Sequence, residues 1–275
     1  MPLAYDEPID AIEGSPVEAT LVADATAIVP GGSLQLGVLL RMQPGWYVFW
    51  RDPGDAGLPT DVNLRAPEGF SVDAIRWPTP ASFMQPGDLV GYGYDDWVLL
   101  ATTVRAPTEL TPGARIPLRA RVRWLTCERV CVPGEADLEH LLPVAEASTP
   151  DNENIFETWR RRLPVQADTE ASPARVVTTR ETSGAGVTRF DVVLEWSTPP
   201  SGVEWLPVHE AAFQILISRV EHLDTVTHVE FTAESTSASE SPPAILEVVV
   251  AYADSAGVRR GLELQIPLRD GLAPP

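Results

Sequence analysis

Ile116, Leu118, Ala120, Val122 and Trp124 take every second position of residues 116–125, with Pro117, Arg119, Arg121 and Arg123 between them. Successive side chains of a strand point to opposite faces, so this spacing gathers all five on one face; a helix would scatter them. The same period recurs at Leu34, Leu36, Val38 and Leu40. Residues 17–24, 61–64, 70–77, 97–104 and 138–144 also read as strands, with turns at Pro30-Gly-Gly-Ser33 and Ala66-Pro-Glu-Gly69. Residues 51–59 and 78–87 carry closely spaced Pro and Gly and read as irregular loops, the second bearing Phe83. Pro 27 and Gly 19 suit a chain of short strands and turns.

One segment breaks the pattern. Residues 149–163 carry Asp151 or Asn152 as a cap, glutamates in the first turn and three arginines in the last, and Pro164 stops them. Ile155, Trp159 and Leu163 share a face, so the spacing predicts a helix packed against a sheet. Beyond it, residues 175–179, 188–196, 213–217, 228–233, 244–252 and 258–266 read as strands, and Asp254-Ser-Ala-Gly257 as a hairpin turn. The expected architecture is all-β: two immunoglobulin-like antiparallel β-sandwiches over residues 15–147 and 165–270, joined by a helical connector over residues 148–164.

The 275 residues include 39 acidic and 20 basic side chains, a net charge of −19. Such a surface repels nucleic acid and anionic lipid. No run of about 18 apolar residues is present to span a membrane, and the start of the chain lacks the basic and apolar blocks of a signal peptide. His209, His222 and His228 lack the spacing of metal ligands.

The only cysteines, Cys127 and Cys131, follow the alternating strand at once. Two cysteines four positions apart on a turn satisfy the separation a disulfide needs. The ring of about five residues would contribute only about 2 kcal/mol, against about 4.7 for a 100-residue loop. That difference leaves the bond roughly 55–60 mV easier to reduce than a long-range staple. A dithiol that is oxidised and reduced in service is therefore the sharper reading; an incidental structural disulfide or two buried thiols is the blander one. Glu128 and Glu135 would raise a nearby thiol pKa and Arg129 would lower it. Two thiolates could instead hold Cu(I), with Met84 as a soft third ligand. A structural adhesion module would leave the cysteines idle.

Three blocks carry a resemblance: Trp46-Tyr-Val-Phe-Trp-Arg-Asp-Pro-Gly-Asp-Ala-Gly-Leu-Pro59, Gly91-Tyr-Gly-Tyr94 and Cys127-Glu-Arg-Val-Cys-Val-Pro-Gly-Glu135. In this order they resemble the periplasmic N-terminal domain of the thiol:disulfide interchange protein DsbD, and more closely that of its relative ScsB, of the suppressor-of-copper-sensitivity system. The resemblance spans residues 15–145; residues 165–275 match more vaguely, as the second immunoglobulin-like domain of longer members. It implies a periplasmic protein-disulfide reductase component, the soluble part of an inner-membrane protein. Such a domain takes electrons from a membrane domain, in the same chain or a separate one, and passes them to thioredoxin-like or disulfide isomerase partners. It uses no cofactor and no metal. The resemblance assigns the mixed disulfide to Cys131, the resolving role to Cys127, the tip of a capping loop over residues 80–86 to Phe83, and a lining role to Tyr47. DsbD itself has five residues between its cysteines where this chain has three, so ring size and potential are expected to differ. Its transmembrane part and thioredoxin-like domain have no counterpart in these residues.

Overall fold

The computed structural model describes residues 15–167, 169–182, 187–208, 213–235 and 245–267. The first half contains β1 (Val17–Ala23), β2 (Ser33–Met42), β3 (Tyr47–Gly54), β4 (Asp61–Arg65), β5 (Ser71–Val72), β6 (Ala81–Gln85), β7 (Leu89–Asp95), β8 (Trp97–Arg105), β9 (Arg115–Cys127) and β10 (Cys131–Pro143). They form two sheets, β1-β2-β8-β5 and β10-β9-β3-β7-β6, with β4 also pairing with β9. Leu34, Leu36, Val38 and Leu40 of β2 meet Val48 and Trp50 of β3, and Leu118, Ala120, Val122 and Trp124 of β9, in one buried cluster. The alternation read from the sequence is thus the inward face of a sandwich. Each Leu or Val side chain so removed from water contributes about 1.5–3 kcal/mol.

The outer face of the first sheet is also apolar. Val22, Leu39, Leu99 and Ala101 are buried beneath Phe156, Trp159 and Leu163 of the helical segment. This double burial accounts for the unbroken apolar run at Val98-Leu-Leu-Ala101. The helix, α1 (Glu153–Arg162), buries Phe156 and Trp159. Its contact stripe is therefore centred one residue away from Ile155, which is only partly buried. Asn152 stands at the N-cap but makes no side-chain cap bond. Its amide donates instead to the Ala23 carbonyl at 3.0 Å, tying the helix to β1. The basic last turn holds the helix to its neighbours too: Arg160 pairs with Asp24 at 3.2 Å, and Arg162 lies over Trp97 at 4.7 Å.

The second half contains β11 (Val165–Gln166), β12 (Ala174–Thr182), β13 (Val187–Trp196), β14 (Ser201–Pro207), β15 (Phe213–Leu223), β16 (Val226–Ser235), β17 (Ile245–Ala253) and β18 (Arg259–Pro267). The sheets β11-β18-β17-β14 and β12-β13-β16-β15 enclose a second core with Phe190, Phe231, Val250 and Leu264 at its centre. Neighbouring strands run antiparallel except β11 and β18. The two halves meet along a continuous seam: Leu206, Val249 and Ala251 join the core cluster of the first, and Arg51 pairs with Glu247 at 2.8 Å.

Four expectations need correction. Residues 78–87 are not all loop, because Ala81–Gln85 forms β6 and pairs with β7 through a turn at Gly87 and Asp88, both at positive φ. Residues 51–59 are not all loop either, because β3 continues to Gly54, where the Asp52 carboxylate accepts the Gly54 N–H at 2.9 Å. Within residues 70–77 only Ser71 and Val72 form a strand. Ser201–Pro207 is a strand the pattern did not suggest, since a register shift between Ser201 and Glu204 breaks its period. His222 is held by the Thr227 hydroxyl and the Pro200 carbonyl at 2.9 and 3.0 Å, and His209 lies outside the described residues.

Candidate functional site

The β9–β10 hairpin ends in the cysteines. Cys127 closes β9, Cys131 opens β10, and the two are register partners. Their Cα atoms are 4.1 Å apart and a disulfide joins them. Directly opposed residues of a non-hydrogen-bonded antiparallel pair lie about 4.5 Å apart, so the hairpin itself brings the sulfurs into range. The connecting residues 128–130 turn tightly, with the Glu128 N–H donating to the Val130 carbonyl at 3.2 Å. The two cysteines differ sharply in access: Cys127 is 1% exposed, whereas Cys131 is an exposed residue.

On the other side of β9 lies β3, with Tyr47 the register partner of Cys127. The Thr126 hydroxyl donates to the Tyr47 carbonyl at 2.9 Å and fixes this junction. Directly paired residues project to the same face, so Tyr47 stands beside Cys127. The ring of Phe83 lies 4.1 Å from that of Tyr47 and 6.1 Å from that of Phe49. Phe83 therefore packs on Tyr47, the register partner of Cys127. Burial pushes the Tyr47 phenol above its ordinary pKa.

The Gly91-Tyr-Gly-Tyr94 block explains how Phe83 comes so close. Gly91 is the register partner of Phe83. A Cβ on Gly91 would lie 2.6 Å from the Phe83 ring, so only glycine lets the ring lie down there. The alternating Tyr92 and Tyr94 turn inward. Burial, with help from the charges of Asp52, Asp55 and Glu204, pushes the Tyr92 phenol up to about 12. The Tyr94 hydroxyl donates to the Pro78 carbonyl at 2.7 Å and anchors the chain just before β6. Gly134 plays a similar part in β10: a Cβ there would lie 2.4 Å from the Trp124 indole.

Of the expected site residues, the structure brings Cys127, Cys131, Tyr47 and Phe83 onto one sheet. It does not bring Met84 with them. Met84 is 67% exposed, and as the neighbour of Phe83 on β6 it points to the opposite face. Glu135 pairs with Arg121 at 3.1 Å and Glu128 with Arg129 at 3.8 Å, so each charge weighed against the thiols has an ion partner. Among the described residues, no cluster of three or more His, Cys, Asp or Glu could hold a metal ion, and no helix is long and apolar enough to cross a membrane. Sequence reasoning missed Phe49, fully buried in the aromatic row. Its place two residues after Tyr47, on the same face of β3, was the available signal.

Residues 18–143 match the family model for the N-terminal domain of the thiol:disulfide interchange protein DsbD. Among solved structures, the N-terminal periplasmic domain of ScsB from Proteus mirabilis superposes with a TM-score of 0.59 at 18% identity, over 91% of this chain and 92% of that one. A protein of unknown function from Porphyromonas gingivalis W83 covers 92% of this chain and 100% of its own at 11% identity, but with a TM-score of 0.25 it carries no weight for the fold. No curated protein matches the chain. The β-sandwich of residues 18–143, with its cysteine pair joined across a hairpin tip, is a thiol–disulfide interchange domain. It belongs to the family of DsbD N-terminal domains.

Proposed function

We propose that residues 15–147 act in the periplasm as a two-electron relay, taking reducing equivalents from an inner-membrane domain and delivering them to a thioredoxin-like or disulfide isomerase partner. The observation that carries the reading is the unequal access of the pair, with Cys131 exposed and Cys127 buried. In the dithiol form, the Cys131 thiolate attacks the partner's disulfide, and one partner sulfur leaves as thiolate. The Cys127 thiolate then attacks Cys131 Sγ, restores the internal disulfide and releases the second partner sulfur. Two electrons have moved from this domain to the partner, which takes up the protons. Exchange needs an accessible sulfur for the first step and a close neighbour for the second, and the hairpin meets both needs. Phe83 is the cap and Tyr47 the wall that it rests on.

The test is trapping. Cys127→Ser, lacking the resolving thiol, should accumulate a mixed disulfide with a thioredoxin-fold partner, and Cys131→Ser should not. The opposite pattern would reverse the two roles. Trapping by neither variant, with several kcal/mol of lost stability in both, would make the disulfide structural.

A further inference from the structure

The strand that carries Phe83 is held from the second sandwich. Arg259, the first residue of β18, donates from Nη2 and Nε to the Pro80 carbonyl at 2.6 and 3.1 Å. Its Nη1 donates to Glu204 Oε1 of β14 at 2.6 Å. The other oxygen of Glu204 accepts the Ser82 hydroxyl. One arginine–glutamate pair thus grips β6 on both sides of Ala81, immediately before Phe83. Strand β6 is the last strand of its sheet; besides its pairing with β7 and the bond from the Gln85 amide to the Ala56 carbonyl at 3.2 Å, this grip is its attachment to the second sandwich. Ser82 and Phe83 are consecutive and point to opposite faces. The face of β6 that meets Glu204 is therefore the back of the face that lays Phe83 on Tyr47.

We infer that Glu204 and Arg259 are positioning residues of the redox site, through which the second sandwich holds Phe83 on Tyr47 and sets how readily the disulfide is reached. The inference rests on the reading of Phe83 as the cap. It gives residues 165–267 a role in the chemistry, although they contain no cysteine. Any shift of the second sandwich that parts Arg259 from Pro80 loosens the start of the cap strand, so access to the disulfide is coupled to how the two halves sit.

The coupling is read from the rate at which dithiothreitol reduces the oxidised full chain. Arg259→Ala and Ser82→Ala should each raise that rate, Arg259→Ala by on the order of three- to tenfold, the scale of a charge-assisted hydrogen bond discounted for partial exposure. Amide exchange across Ala81–Gln85 should rise in step. Glu247→Gln breaks the Arg51 pair at the same seam without touching β6 and should leave the rate unchanged. Ser82→Ala removes one exposed hydroxyl and keeps the test valid should Arg259→Ala fold poorly. Equal acceleration by Glu247→Gln and Arg259→Ala would overturn the clamp in favour of general loosening of the seam. An unchanged rate in Arg259→Ala and Ser82→Ala would also overturn it, provided Phe83→Ala accelerates reduction in the same assay. An unchanged rate in Phe83→Ala would refute the cap itself, and the clamp with it.

Discussion

Tyr47 and Cys127 are register partners across β3 and β9, and the ring of Phe83 lies 4.1 Å from that of Tyr47. The buried cysteine thus has a tyrosine of the neighbouring strand as its register partner. A second aromatic on an edge strand covers the tyrosine in turn. The first is fixed by the Thr126 hydroxyl bond to its carbonyl; the second is held by one neighbouring strand and by side-chain bonds at either end of β6.

Phe83→Ala should speed attack on the disulfide by a small thiol while barely moving Tm. An aromatic pair of this kind contributes about 0.5–1.5 kcal/mol, and Phe83 is only partly buried. Stopped-flow reduction and a thermal melt check both. Lost stability with unchanged reactivity would make Phe83 an ordinary core residue.

Two glycines should separate the site from the scaffold. A side chain at Gly91 meets the Phe83 ring, whereas one at Gly134 meets the Trp124 indole in the core. Gly91→Val should displace Phe83 and raise thiol reactivity. Gly134→Ala should cost about 1–3 kcal/mol through overpacking, seen as an earlier urea midpoint, with reactivity little changed. Equal effects of the two on reactivity would contradict the placement of Phe83.

The disulfide should have a potential between about −180 and −300 mV, because its small ring stabilises it little and structural disulfides lie lower. Equilibration with glutathione or reduced thioredoxin measures it directly. A value well below that range would argue for a permanent brace.

Acid should weaken the grip on the cap strand. Burial opposes ionisation of Glu204, but hydrogen bonds from Arg259 and Ser82 outweigh it and hold the carboxyl below its ordinary range. The charged and titratable groups beside it include Arg259 of β18, its ion partner at 2.6 Å, and Tyr92 of β7, whose phenol burial pushes up to about 12. A depressed folded pKa gives stability that is fully present above the ordinary glutamate value of about 4.3 and is lost as pH falls through the lower folded value. The urea midpoint of Glu204→Gln should therefore lie below that of the unaltered protein at neutral pH and converge with it as pH falls below the ordinary glutamate value. A gap that persists undiminished there would disprove the linkage.

Trp159→Ala should cost about 3–5 kcal/mol, since Trp159 is 2% exposed over the outer face of the first sheet. The loss should appear in a denaturation curve while thiol reactivity holds, because α1 packs on the sheet that lacks the cysteines.

What could be read in advance followed from locality. The period of β9 gave the inward face, and the cysteines at its end placed the hairpin tip. Helix α1 was legible from its charge gradient and stop, but Phe156 was not, because a stripe on i, i+4 and i+8 centres on Ile155 just as well. Strand β6 has the local composition of a loop because Pro78, Pro80 and Pro86 crowd it, although Pro86-Gly-Asp88 is the hairpin turn that pairs it with β7. The bulge at Gly202, with φ 58, hid β14. Nothing local to Ser82, Glu204 or Arg259 announces their meeting, since Ser82 lies 122 positions from Glu204 and Glu204 55 from Arg259, and the packing of two sandwiches brings them together.

The β9–β10 register continues without a break from Val132 opposite Thr126 to Pro143 opposite Arg115. Every backbone pairing that places the sulfurs is made without them. Opening the bond therefore leaves both thiols standing where they must rejoin, and the domain can be charged and discharged repeatedly with no backbone to rebuild between turns. Closure is then as quick as the approach of two side chains, and the scaffold, not the covalent link, keeps the memory of the oxidised shape.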